Sequence, residues 1–331
     1  MYKKNIYINN DFNIVAETDY DGEVAFYLKN KGKFIEKKFY DDSNIHKFKS
    51  FPETGALSVV FFFKLPNGQV LVEESEIFFL DRNRKSIWPL KSNVIAENKD
   101  FKITYYDQKS DITFITFNGA HSNKSTVPFG FQYIISRKWN LISVAQDNNT
   151  QYQSLSLSQF CDSVSPFIKD KRIFSYGSSL GGYCALYYGG SINATIIAAS
   201  PRNSAHPLIA DNLWKDLDFK HKDIESIPLT TNPVYIIYDS NIGIDTKFIN
   251  TVFLPYYPTA KILALPQASH NVLKCMLDSK VLTLYISKII EEKYDENLAK
   301  YIKATCCYKL KNYDLAFNIL DDLVVDNLLK T

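Results

Sequence analysis

Hydrophobic positions in the first part of the chain recur with a period of two. Asn5–Ile8, Glu23–Leu28 and Lys33–Glu36 alternate or carry β-branched and aromatic residues, which suits a pleated surface covered on one face. Asn30-Lys31-Gly32 supplies a hairpin-type turn between two of them. A second hairpin is plainer: Ser58–Leu65, then Pro66-Asn67-Gly68, then Gln69–Leu80. No helix-period stretch of useful length interrupts this region. The pattern predicts an antiparallel β domain over residues 1–97, sandwich-like, whose many aromatics serve as core rather than as a glycan-touching face.

From about residue 100 short apolar runs without alternation take over, separated by helix-period segments. That is the signature of a mostly parallel sheet covered on both faces. Strands are expected at Ile112–Phe117, Leu141–Ala145, Arg172–Tyr176, Thr195–Ala199, Val234–Tyr238 and Lys261–Leu265. Helices are expected at Ser156–Lys169, Leu180–Tyr188, Thr246–Phe253 and Val272–Lys293. The fold class is therefore α/β, with flanking helices, over residues 98–294. Residues 295–331 read as two short helices around Lys311-Asn312-Tyr313, with Ala304, Tyr308, Leu310, Ala316 and Ile319 at helical spacing. This hairpin is similar to one tetratricopeptide-type unit. A single unit cannot stack into a solenoid, so packing on the main domain is the simpler role, and docking a protein partner the other.

Composition narrows the setting. With 331 residues, 46% hydrophobic and 22% charged, the chain can bury a substantial core. A net charge of +2 without a long Lys/Arg block argues against a nucleic-acid partner. The most apolar short run, Leu57–Phe63, is strand-sized and far below a membrane span. Cys161, Cys184, Cys275, Cys306 and Cys307 have no metal-ligand spacing, so free thiols and no metal are expected. The basic start, MYKKNIYINNDFNIV, is not followed by an apolar run, so no secretory signal is expected. These points favour a cytoplasmic protein, in which the sequons at Asn123, Asn148 and Asn193 would be silent.

The chemistry gathers after the strand Arg172–Tyr176. Gly177-Ser178-Ser179-Leu180-Gly181 is a G-x-S-x-G sequence between a buried strand and a helix. A serine on such a sharp turn projects its hydroxyl above the sheet, and the glycines allow strand and helix to approach without a Cβ. Ser179 is the expected nucleophile. The helix N-terminus adds positive potential, and the Leu180 N–H is a first oxyanion donor. Gly119 and Ala120, in the loop after Ile112–Phe117, are candidates for the second.

A serine needs a base. In folds that carry this motif the acid and then the histidine follow the serine, the histidine after the last strand. Of His46, His121, His206, His221 and His270, only His270 satisfies that order. His221, in the charged segment Phe219-Lys220-His221-Lys222-Asp223, reads as surface. Two acids compete. Asp239 sits at the carboxyl end of Val234–Tyr238 and is preferred. Asp245, six residues on, doubles as an N-cap for the next helix and is the alternative acid. For His121 two readings stand side by side, lining a pocket or standing exposed on its loop, and Arg202 either binds an anionic substrate group or forms a structural ion pair.

Taken together, the strand order, the Ser179 elbow, Asp239 and His270 resemble the α/β-hydrolase superfamily across roughly residues 100–292. The resemblance implies a Ser-His-Asp triad and acyl transfer through an acyl-enzyme. More narrowly, the layout looks like that of capsule and surface-polysaccharide O-acetyltransferases of this type. The expected function is acyl-ester chemistry on a polar, carbohydrate substrate: transfer from a donor such as acetyl-CoA, with no resident cofactor, or ester hydrolysis. The segment after Thr195–Ala199 is short and mostly polar, without the apolar face of a lipase lid. A peptidase on the same scaffold and a non-catalytic binding protein are the competing readings.

Overall fold

The structure is a computed structural model that describes residues 2–30, 33–49, 54–147, 149–210, 214 and 217–328. Lys31 and Gly32 of the first expected turn, and the sequon at Asn148, lie outside the described residues. The chain forms two compact units. One comprises residues 1–93, 106–110 and 130–141; the other comprises 94–105, 111–129 and 142–331. Neither is a single run of sequence.

Among the described residues the first unit contains nine strands: β1 (Lys4–Ile8), β2 (Ile14–Thr18), β3 (Val24–Asn30), β4 (Lys33–Asp41), β5 (Ile45–Phe48), β6 (Thr54–Lys64), β7 (Val70–Glu74), β8 (Phe78–Asp81) and β9 (Ser86–Pro89). They make a three-stranded sheet ordered β1-β2-β5 and a larger one ordered β4-β3-β6-β8-β9, with β7 also paired to β6. The alternation that marked these strands decides the packing. Val24, Phe26 and Leu28 of β3 and Val59, Phe61 and Phe63 of β6 meet Ile14, Ala16 and Phe48 from the smaller sheet in one core. Phe26, Phe48, Phe61 and Phe63 are fully buried in this core, while Phe34 and Phe39 on β4 remain exposed. At the β6–β7 turn Gly68 has φ 81°, and its N–H donates to the Leu65 carbonyl at 2.9 Å.

The second unit is built on an eight-stranded sheet. Its strands are β10 (Ser92–Glu97), β11 (Phe101–Tyr106), β12 (Ile112–Phe117), β13 (Asn140–Gln146), β14 (Arg172–Ser178), β15 (Thr195–Ala199), β16 (Val234–Tyr238) and β17 (Lys261–Ala264), ordered β10-β11-β13-β12-β14-β15-β16-β17. The last five in that order run parallel. Every residue of β13 and β16 is buried, as their continuous apolar runs predict.

Helix α1 (Phe131–Ser136) precedes β13, and α2 (Leu157–Ile168) begins with a capping box between Ser156 and Gln159. Helix α3 (Leu180–Gly189) packs against β12, β14 and β15, with all ten residues buried. Two helical expectations change. Helix α4 (Gly243–Phe248) starts earlier than Thr246, and residues 249–253 continue it as a wider turn in which the Leu254 N–H donates to the Ile249 carbonyl at 3.1 Å. The stretch Val272–Lys293 is two helices, α5 (Val272–Asp278) and α6 (Leu282–Ile290), separated at Lys280, whose φ of 60° cannot continue a helix. Helices α7 (Glu296–Lys309) and α8 (Tyr313–Leu328) form the C-terminal hairpin. The Asp295 side chain caps α7, which packs through α5. Among the described residues no helix is long and apolar enough to cross a membrane.

Candidate active site

Strand β14 delivers Ser179 to the start of α3. The serine has φ 55° and ψ −121°, a conformation that L residues avoid and that persists only when surroundings enforce it. Its N–H donates to the Ala199 carbonyl at 2.8 Å, and its own carbonyl accepts from the Tyr183 and Arg202 N–H groups at 3.0 and 3.1 Å. The glycines explain themselves by distance. A Cβ on Gly177 would lie 2.2 Å from the Gly181 carbonyl, and one on Gly181 would lie 2.3 Å from the Phe117 carbonyl oxygen. Strand β14, the elbow and the end of β12 therefore touch backbone to backbone.

Three side chains meet there. The Ser179 hydroxyl donates to His270 Nε2 at 2.8 Å, and His270 Nδ1–H donates to Asp245 Oδ2 at 2.5 Å. The His270 side chain keeps 31% of its surface exposed while Asp245 is wholly buried. The imidazole thus keeps an open face, and the carboxylate is sealed from water, where electrostatic attraction is strongest.

The preference for Asp239 as the acid is corrected by this geometry. Asp239 is buried at the end of β16, but its Oδ1 accepts the N–H groups of Asn241 and Gln267 at 2.8 and 3.1 Å, and its Oδ2 accepts that of Ser269 at 2.7 Å. It fastens the loop that carries His270, in which Gln267 and Ser269 both adopt left-handed φ. The physical reason is the turn after β16. The Ile242 N–H closes on the Asp239 carbonyl at 3.1 Å, and the chain re-emerges in the first turn of α4 with Asp245 facing the histidine. Asp245 makes no N-cap; it is the third residue of its helix. Asp-Ser-Asn after a strand is an Asx-turn signal, and that signal marks Asp239 as a backbone binder.

Other expected residues fall as follows. Arg202 Nη1 donates to Asp245 Oδ1 at 2.8 Å, so the arginine is engaged with the acid. Gly119 and Ala120 are half-buried in the loop after β12. The Gly119 carbonyl accepts from Ser122 Oγ and Gln146 Nε2 at 2.7 and 3.2 Å, which fixes the orientation of the peptide whose N–H belongs to Ala120. Leu180 is the first residue of α3, so its N–H has no partner within the helix. His121 stands exposed, with φ 59°. Its N–H donates to Asn149 Oδ1 at 2.5 Å, and no contact links it to Ser179 among the described residues.

His221 is not surface. It is buried, stacked 4.2 Å from the Tyr187 ring, with the Tyr183 hydroxyl 3.0 Å from Nδ1 and the Tyr152 carbonyl 3.1 Å from Nε2. Burial pushes its pKa down to about 4. The charged neighbours Lys220, Lys222 and Asp223 face outward and hid this in the sequence. No group of His, Cys, Asp and Glu side chains fit to hold a metal occurs among the described residues.

A parallel sheet, a strained serine between strand and helix, and an acid and histidine following it in chain order are the marks of one architecture. The fold is α/β-hydrolase-like. No family model matches the chain, and no curated protein matches it. Among the solved structures that resemble it are the following three, each over 61% of this chain. The capsule O-acetyltransferase of Neisseria meningitidis serogroup A does so at 14% identity and TM-score 0.43, over 94% of its own length. Dienelactone hydrolase from Anabaena variabilis shares 10% identity at TM-score 0.39, over 95% of its length. An α/β hydrolase from a metagenome of lagoon sediments at Mar Chica, Morocco, shares 15% at TM-score 0.38, over 99% of its length.

Proposed function

We propose that Ser179, His270 and Asp245 act as a catalytic triad for acyl transfer through an acyl-enzyme. The observation that carries this reading is the continuous run of contacts from Ser179 Oγ through His270 to Asp245, with the serine held in a strained elbow. In the first step His270 Nε2 takes the hydroxyl proton as Ser179 Oγ attacks the acyl carbonyl. Asp245 stabilises the imidazolium and keeps the productive tautomer. The Leu180 N–H, with that of Gly119 or Ala120, receives the negative charge on the tetrahedral oxygen. The imidazolium then protonates the leaving group, and an acceptor oxygen, activated by the same histidine, releases the acyl group from Ser179.

The acceptor we favour is a carbohydrate hydroxyl, with acetyl-CoA as donor, which makes the enzyme an O-acetyltransferase; water as acceptor makes it an O-acyl esterase. Support for a polar substrate comes from the short, mostly polar segment after β15, which offers no apolar lid. A fluorophosphonate probe tests the nucleophile: the wild type should label and Ser179→Ala should not. Labelling that survives in Ser179→Ala would sink the triad, and a wild type that never labels would leave a binding protein. Incubation with acetyl-CoA and candidate glycans then separates an acetylated glycan from free acetate. Cleavage of peptides in preference to esters would favour the peptidase.

A further inference from the structure

Asp245 is wholly buried, and a buried carboxylate stays ionised only when its oxygens are satisfied. Oδ2 takes the His270 Nδ1–H and Oδ1 takes Arg202 Nη1–H, at 2.5 and 2.8 Å. The same arginine donates its backbone N–H to the carbonyl of Ser179 at 3.1 Å. One residue therefore spans from the nucleophile's main chain to the acid's side chain. Its own segment is firmly placed. The Ser200 N–H donates to the Ile237 carbonyl at 2.7 Å, Ser200 has φ 40°, and Asn203 Oδ1 accepts the Ala205 N–H at 3.0 Å.

We infer that Arg202 is a positioning residue for the reaction: it orients Asp245 toward His270. This rests on the acyl chemistry proposed above. His270 contacts Asp245 from α4 and Ser179 from the elbow, and Arg202, from the turn after β15, reaches it through Asp245. The guanidinium is a permanently charged, rigid donor to the second oxygen of that carboxylate. Without Arg202, Asp245 has one buried oxygen unheld and is free to turn away from the histidine.

The test follows the second-order labelling rate with a fluorophosphonate, and kcat and KM for 4-nitrophenyl acetate, in wild type, Arg202→Gln and Arg202→Lys, with thermal unfolding as the check on folding. In Arg202→Gln the labelling rate and kcat should fall roughly tenfold with KM unchanged. Arg202→Lys should return most of the loss. Where glutamine destabilises the fold, Arg202→Met keeps the apolar stem and removes the charge. An undiminished kcat in Arg202→Gln, or a loss of equal size in the Gln and Lys variants, overturns the inference. An unlabelled wild type removes the nucleophile, and the role of Arg202 falls with it. A labelled wild type with an undiminished kcat in Arg202→Gln removes Arg202 alone.

Discussion

Asp239 and Asp245 lie in one loop and helix start, yet each carboxylate has its own work. Asp245 gives its oxygens to His270 and Arg202, and Asp239 gives its oxygens to backbone N–H groups of the histidine loop. Asp245→Asn should therefore lower kcat on the order of 10³- to 10⁴-fold with little change in stability, because the wrong histidine tautomer is favoured. Asp239→Asn turns an amide toward the Ser269 or Gln267 N–H. It should cost about 1–3 kcal/mol in urea denaturation and lower kcat far less than Asp245→Asn. Equal kinetic losses in the two variants would contradict this division. Gly181→Ala sets a methyl against the Phe117 carbonyl and should destabilise by about 2 kcal/mol or more, read from the urea midpoint. At this scale the meeting of Ser179 with His270 was legible as a contact, since the motif and the chain order each left a single residue. The carboxylate that meets His270 was not, because a four-residue turn after β16 decides which one returns to it.

At the scale of elements, α3 is held from two sides. The sheet covers one face, and His221 clasps the other through Tyr183, Tyr187 and Tyr188. Because the His221 pKa falls from its ordinary 6.5 to about 4, the unfolded chain takes up a proton in that interval while the folded chain does not. The stabilising contribution is complete above pH 6.5 and drains as pH drops through 4, by up to about 3 kcal/mol. Urea midpoints at pH 7 and pH 4.5 should differ accordingly, and the difference should shrink in His221→Phe. Periodicity located most strands and the cores of the helices. It missed the break at Lys280 and the burial of His221, since both depend on partners distant in sequence: a local run of charges says nothing about which single ring turns inward.

Across the whole molecule, the change from alternating to continuous apolar runs near residue 100 correctly separated strand-only from strand-and-helix regions. It did not show that the compact units interleave, with residues 106–110 and 130–141 belonging with the first 93. A fragment ending at residue 97 lacks those pieces. It should give poorly dispersed amide resonances and no cooperative thermal transition, whereas the full chain should melt cooperatively. A folded, monomeric 1–97 fragment would show that the later pieces are dispensable.

The interleaving also sets a schedule at the ribosome. The β unit cannot close when its ninth strand emerges; it waits for Leu141, about 50 residues later, or some 3–10 s at ordinary elongation rates. Through that interval the face of β6 and β8 that α1 covers, with Phe79 against Phe131, stays open, so the nascent chain should depend on a chaperone. Synonymous codons that slow translation between residues 94 and 141 should lower its soluble yield.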